Sequence, residues 1–452
     1  MERLYHLAFR ASIKVHWHHN MEAIKQRATK TLNWAQGYLQ TDLIYLAKGG
    51  SVLGIGQVVS SGVAFLLSIA FANLFPPESY GLYKYILSVV GVVTAFSLTG
   101  MDSALSQAVA RGYDGTFKES YRTTFRWTLL TALITLGVAG YYFLNHNAPL
   151  GWGLIIAALA MPLLKSSLLF SGFLVGKKDF KRRVTYGMLY DIIPALCIIA
   201  SLFFTNNPVL IVAVYFIAYT SIAVILYKKT QKQYPLSGAI DPETQRYSFH
   251  LSAMNILGTI SFQMDKVLAF HYLGTVQLAL YSFATGMPQQ LKQIQKILST
   301  LVFPRFAAHT FSNIKKDIHR KALILFITMI PVVGLYILAA PFLFEFLFPA
   351  YVEAVPYSQV IALSLLFSPA IFYQQALTAH KQRKALYTIQ SVGSSVRIIL
   401  LLVLIPLYGI WGIVGALFIN EVVRLALVLY FVAITKSTNE PLADIAVATE
   451  IE

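Results

Sequence analysis

The sequence predicts an all-α integral membrane protein of about twelve transmembrane helices. Three observations carry that. Apolar stretches of twenty residues or more recur along the 452-residue chain, each long enough to cross a hydrocarbon core of about 30 Å. Only 12% of the residues are charged, against about 25% in soluble domains. The lysines and arginines that interrupt the apolar runs gather on one side of the expected membrane only. The weak ten-residue alternation of an outer-membrane barrel is absent.

Residues 1–48 form a basic tail carrying Arg3, Arg10, Lys14, Lys25, Arg27, Lys30 and Lys48, with Tyr5, Phe9, Val15, Trp17 and Trp34 interleaved. Cations alternating with large apolar groups predict helices lying on an anionic leaflet. No signal-peptide pattern is present. His16, His18 and His19 read as an interfacial cluster in preference to a metal site.

Twelve spans follow, at 49–75, 80–102, 123–144, 150–175, 184–205, 208–227, 247–273, 277–303, 321–346, 356–379, 385–406 and 411–434. Pro76–Pro77, Pro149, Pro208, Pro349 and Pro356 punctuate their ends. The 2–3, 4–5, 6–7, 8–9 and 10–11 loops hold the cations, as in Lys177, Lys178, Lys181, Arg182 and Arg183. The opposite loops hold none, only Glu78 and Glu353. Both termini are therefore expected in the cytoplasm of a bacterium bounded by this membrane. The same asymmetry explains the net charge of +16 without a nucleic-acid partner. The single cysteine, Cys197, reads as an apolar filler and rules out an internal disulfide.

Six spans per half predict a parallel duplication about an axis along the membrane normal. LVGKKDFK at 174–181 and LTAHKQRK at 377–384 occupy corresponding loops. NLFPPESYGLYKY at 73–85 and YLGTVQLALYSF at 272–283 make corresponding turns. The expected domains are the tail 1–48, a six-helix bundle 49–227, a linker 228–246, a second bundle 247–434 and a C-tail 435–452.

Charges inside hydrocarbon cost about 2.5–3.5 kcal/mol each on insertion scales, so they mark function or pairing. Lys84, Lys165, Lys266, Lys292, Lys296, Arg397 and Arg424 lie within spans, against Asp102, Asp191, Asp265 and Glu421. The excess of cations predicts an anionic ligand, and pyrophosphate suits both Arg and Lys. Lys165 and Arg397 lie mid-span, where a cation cannot snorkel, and are expected to face a wet central cavity. Thr285, Gln289, Lys292, Lys296 and Ser299 share one helix face and are expected to form a cavity wall. Arg424 completes the substrate-binding set. Glu421 stands one turn from Arg424 and is placed to pair with it. Lys84 is expected to snorkel outward, and Asp102 to act as a cap or loop partner. Asp191 could answer a cation or bind a coupling ion. Asp265 and Lys266 point about 100° apart on one helix. Asp265 is read as tying spans or halves together, and Lys266 as reaching the cavity or the outer interface.

No Walker A, HExxH or CxxC pattern occurs, nor any nucleophile–base–orienter set, so neither catalysis nor a cofactor or metal is expected. The outer loops are too short to hold a glycosyltransferase or polymerase site. The basic 2–3 loop motif of major-facilitator proteins is missing from Ser103–Arg126.

QMDKVLAFHYLGTVQLALYSFATGM (263–287) resembles the seventh-to-eighth-span signature of polysaccharide biosynthesis exporters. FPPESYGLYKYILS (75–88), FSLTGMDSALSQAVAR (96–111) and LVFPRFA (301–307) resemble further parts of the same proteins. The group is the O-antigen (Wzx-like) flippases, within the multidrug/oligosaccharidyl-lipid/polysaccharide exporter superfamily, and the resemblance covers about 45–435. It implies two six-helix bundles in a V, alternating access, and a polyprenyl-pyrophosphate-linked oligosaccharide as cargo. Membrane lipids, a polysaccharide polymerase and a chain-length regulator are the implied partners. An ion-coupled multidrug exporter of the same superfamily is the alternative. The long tail departs from the usual short start.

Overall fold

A computed structural model describes residues 43–435 apart from 236–237, 309–310 and 381, with side chains outside 43–53, 293–308, 312–314 and 316–317. Residues 1–42 of the basic tail, with its histidine cluster, residues 436–452, and the side chains of Lys296 and Ser299 lie outside the described residues; residues 43–48, expected in the tail, belong to the first helix. Two compact units divide at Gln57/Val58. The described part of the first is the start of helix Leu43–Leu74, and the second holds the remaining elements.

Eleven helical stretches among the described residues are long and apolar enough to cross a membrane. One of them, Thr244–Lys292, has 49 residues, too many for one pass at about 1.5 Å per residue. It bends at Gly274, whose φ of 85° and ψ of −173° leave helical space. That combination is open to glycine almost alone. The stretch therefore supplies two passes, and twelve result. Spans 1–6 are Leu43–Leu74, Pro77–Phe96, Thr116–Leu144, Ala148–Gly176, Phe180–Leu202 and Pro208–Gln233. Spans 7 and 8 are the two limbs of Thr244–Ala308. Spans 9–12 are Phe311–Leu347, Pro349–Phe367, Arg383–Tyr408 and Ile410–Ile434.

Local chemistry starts these helices where the sequence reading puts them. Pro77 and Pro208 stand in first turns, where a missing N–H costs nothing. Asp179 and Asn207 cap spans 5 and 6, accepting from the backbone N–H of Arg182 at 3.0 Å and of Val209 at 2.9 Å. Span 3 shows how a helix in lipid is faced. Thr124, Thr128, Thr131 and Thr135 are buried, their small side chains admitting span 4 closely. Leu129, Leu133 and Leu136 are exposed on its outer side. Cys197 is exposed too, so it is an outward-facing residue and not a core filler.

Three spans are interrupted where the hydropathy reads them as continuous. Span 2 tightens into a 3-10 turn at Thr94–Phe96 and resumes as Met101–Ala110, with Asp102 in its first turn. Span 4 breaks at Leu168–Leu169 before Phe170–Gly176. Span 10 breaks at the 3-10 turn Ser364–Phe367 before Ala370–Ala379. The last two breaks precede the basic loops at 174–181 and 377–384.

A seam between span 2 and the helix Thr244–Ala308 joins the N-terminal to the C-terminal spans. It is built on bare backbone. A Cβ on Gly81 would lie 2.0 Å from the Thr275 carbonyl oxygen. Further along, Tyr85 stacks on Phe270 at 3.7 Å between centroids, and the Gly100 N–H donates to Ser252 Oγ at 2.9 Å. On the side of the basic loops the seam ends at Asp241. Asp241 is 5% exposed and receives Arg111 Nη2 at 2.5 Å and Thr244 Oγ1 at 2.7 Å. Its own N–H donates to Thr116 Oγ1 at 2.9 Å. The segment before span 7 is thus tied to the 2–3 loop and the start of span 3.

Candidate functional site

On the side away from the basic loops, aromatic residues from both groups of spans meet. Tyr80 lies 4.8 Å from Phe283, and Phe283 lies 4.0 Å from Tyr351. Phe71 stacks on Tyr83 at 5.0 Å, and Phe65 meets Phe348 edge-on at 6.3 Å. The Asn73 amide adds a hydrogen bond to the Leu347 carbonyl at 2.9 Å. Rings packed edge to face and offset close this end tightly, each pair adding about 0.5–1.5 kcal/mol to the burial of its area.

Directly against this aromatic cluster is a cavity of about 240 Å³ between spans 1, 2, 7 and 8. Its polar lining is Ser68, Lys84, Lys266, Ser282, Thr285, Gln289 and Gln290, and no carboxylate lines it. Lys84 projects from span 2, its Nζ 5.2 Å from the centre of the Tyr80 ring. Lys266 projects from span 7, with Nζ 3.4 Å from Gln263 Oε1 and 5.4 Å from the Phe262 ring. Neither forms an ion pair among the described residues. Cation–π and amide contacts answer an ammonium only in part. Two half-sheltered lysines therefore hold this cavity positive.

Asp265 is separated from Lys266 by the helical turn between adjacent residues and faces the other way. It is 3% exposed and fully engaged. The Tyr281 hydroxyl donates to Oδ2 at 2.6 Å, Arg397 Nη2 donates to the same oxygen at 3.1 Å, and the Lys266 N–H donates to Oδ1 at 2.8 Å. This ties spans 7, 8 and 11 together. Beside it, Lys292 pairs with Glu421 at 2.8 Å, joining span 8 to span 12. These groups enclose a smaller cavity of about 100 Å³.

The expected site is thereby rearranged. Arg397 does not line the central cavity; its guanidinium turns into the C-terminal spans, where the Asp265 carboxylate outcompetes water. Lys292 is likewise held by a carboxylate, and Glu421 pairs with Lys292 across two helices instead of with Arg424 on its own. Lys165 lines none of the three cavities described for this chain, lying on span 4 between Pro162 and the break at Leu168. Lys84, expected to snorkel outward, lines the central cavity instead. Asp191 answers no cation among the described residues and accepts a hydrogen bond from Ser60, tying span 5 to span 1. Among the described residues no three His, Cys, Asp or Glu side chains converge on a metal position. Of the span 8 face, Thr285 and Gln289 line both cavities, and Lys292 the smaller one. Lys84 was legible as a lysine within YGLYKY, eight residues into a span. What the sequence lacks is the aromatic cluster beyond it, which blocks the outward path a snorkelling side chain needs.

The twelve-pass helical fold is that of the MOP-superfamily transporters. It is similar to an inward-facing multidrug resistance MATE family transporter (TM-score 0.62, 11% identity, 83% of this chain and 94% of that one). It is also similar to the lipid II flippase MurJ in an inward closed conformation (TM-score 0.59, 16% identity, 84% and 87%). A third is a MOP-superfamily transporter from Pyrococcus furiosus described as having a binding pocket of reversed polarity (TM-score 0.56, 13% identity, 85% and 95%). No curated protein sequence matches. The family model for polysaccharide biosynthesis proteins matches residues 46–310, more than half of the chain, and the chain belongs to that family.

Proposed function

We propose that this protein is a flippase that carries a polyprenyl-pyrophosphate-linked oligosaccharide from the inner to the outer leaflet of a bacterial cytoplasmic membrane. The observation that carries this reading is the central cavity, walled by spans from both halves and lined by Lys84 and Lys266 without a carboxylate. A pyrophosphate headgroup would meet both ammonium groups there, with Gln289 and Gln290 as amide donors, while the polyprenyl tail stays in lipid. Lys84 and Lys266 replace Lys165 and Arg397 as the phosphate-binding pair. The aromatic cluster would be the gate that parts as the two six-helix bundles, 49–227 and 247–434, rock against each other. The basic loops would face the cytoplasm, with both termini. A polymerase and a chain-length regulator would take the cargo onward.

Export of cationic drugs, the other activity found on this fold, is disfavoured by the sign of the cavity. The test is surface glycan display in cells producing K84Q, K266Q or K84Q/K266Q at wild-type membrane level. The double variant should lose display. Normal display in the double variant overturns the reading, and drug resistance conferred by the wild type in a pump-deficient host would replace it with the exporter.

A further inference from the structure

A cavity of about 160 Å³ opens among spans 7, 11 and 12, and none of its lining residues comes from spans 1–6. Its polar wall is Ser261, Gln390, Ser394, Arg397, Asn420 and Arg424, with no carboxylate. Arg397 gives Nη2 to Asp265, but its buried Nε–H has no partner. Asn420, 5% exposed, keeps the Oδ1 end of its amide, an acceptor as placed, unpartnered. The two ends of a carboxamide have the same shape, so that end can be presented as an NH2 donor.

Two glycines make the room. A Cβ on Gly258 would come within 2.1 Å of Gln390 Nε2, and one on Gly393 within 3.1 Å of Arg424 Cγ. Bare backbone at these points lets the Gln390 amide and the Arg424 stem lie where a side chain would displace them. Charge is out of balance in the same place. Arg397, Arg424 and Lys292 surround the paired cavities, against Asp265 and Glu421. Asp265 is held by Arg397 and Tyr281, and Glu421 by Lys292. Among the described residues the cations around these cavities outnumber the carboxylates by one, Glu421 being shared between Lys292 and Arg424, and an uncompensated ion is costly away from water.

We propose that this cavity binds a small inorganic anion, of chloride to phosphate size, between Arg397, Arg424 and the amides of Gln390 and Asn420. Guanidinium forks match oxyanions in geometry as well as charge. The site is separate from Lys84 and Lys266 and does not depend on the cargo assigned to them. By neutralising the surplus charge, the anion holds spans 7, 11 and 12 together.

The test uses the purified full-length protein in detergent, exchanged into gluconate at constant ionic strength, with chloride or inorganic phosphate titrated in and the thermal midpoint read. The wild type should show a saturable rise of about 2 °C or more, and K84Q/K266Q should show the same rise. R424Q should not respond. N420D places a carboxylate where the anion would sit. In gluconate it should melt at or above the anion-saturated wild type, and it should not respond to added anion. N420D decides alone if R424Q fails to fold. The proposal is overturned if the wild type shows no saturable response, or if N420D responds as the wild type does. It also falls if undecaprenyl pyrophosphate raises the midpoint while chloride and phosphate do not, since the cavity would then belong to the cargo.

Discussion

Replacing Asp265 with alanine removes the acceptor of three hydrogen bonds at once: Tyr281 at 2.6 Å, Arg397 at 3.1 Å and the Lys266 N–H at 2.8 Å. The Lys266 N–H keeps its helical carbonyl, so its loss matters little. Arg397 is different. Its side chain is 17% exposed, and without Asp265 a guanidinium is left buried with no carboxylate in contact. Breaking a buried pair on one side costs about 3–5 kcal/mol, because the surviving charge keeps its desolvation penalty. Removing both partners avoids that penalty. D265A/R397M should therefore recover most of the loss, methionine filling the volume of the guanidinium stem. The assay is equilibrium unfolding in mixed micelles with increasing denaturing detergent, for the wild type, both single variants and the double. A D265A loss under about 1 kcal/mol, within the range of ordinary surface changes, would refute the pairing argument. So would a double variant no more stable than D265A.

Gly274→Ala forces a Cβ into φ 85°, ψ −173° and should lower stability by about 1–3 kcal/mol without loss of membrane insertion, measured in the same unfolding assay. Gly81→Val drives a side chain into the Thr275 carbonyl, 2.0 Å away. Its expected result is a separated seam, read as lost cross-linking between, and new labelling of, cysteines placed beside Tyr85 and Phe270. Asp241→Ala strips Arg111 and Thr244 of their common carboxylate partner, while the backbone N–H that Thr116 accepts from remains. A loss of about 1–3 kcal/mol is expected for the buried groups left unpaired, and proteolysis before span 7 should become faster. Asp179→Ala removes a helix cap and should cost about 1 kcal/mol, with little effect on the Asp241 cluster.

Much of the architecture was legible because lipid imposes one-dimensional rules. An apolar run must be long enough, cations must stay on one side, and prolines and glycines must stand at ends. These conditions place the twelve passes, including the two joined at Gly274, and set the polar face of span 8. The interruptions in spans 2, 4 and 10 escaped, since a turn inside an apolar run leaves hydropathy unchanged. The residue-level site was legible only in part, and Asp265–Lys266 shows why. Helical geometry alone sends the two side chains in different directions. It does not say which direction holds Arg397 and which holds open space.

Which charges lie within the membrane follows from composition along the chain. Which of them are answered was decided by how the helices pack. Arg397 and Lys292, far from any carboxylate in sequence, find Asp265 and Glu421 across helix contacts, 132 and 129 residues away. Lys84, which looked able to reach an interface, is kept inside by aromatic rings from spans 1, 2 and 8 and from the turn that follows span 9. Hydropathy is a property of each segment alone, and the sequence determines it directly. Pairing depends on the azimuth of each helix about its axis and on its neighbour, and these exist only once the bundle has formed.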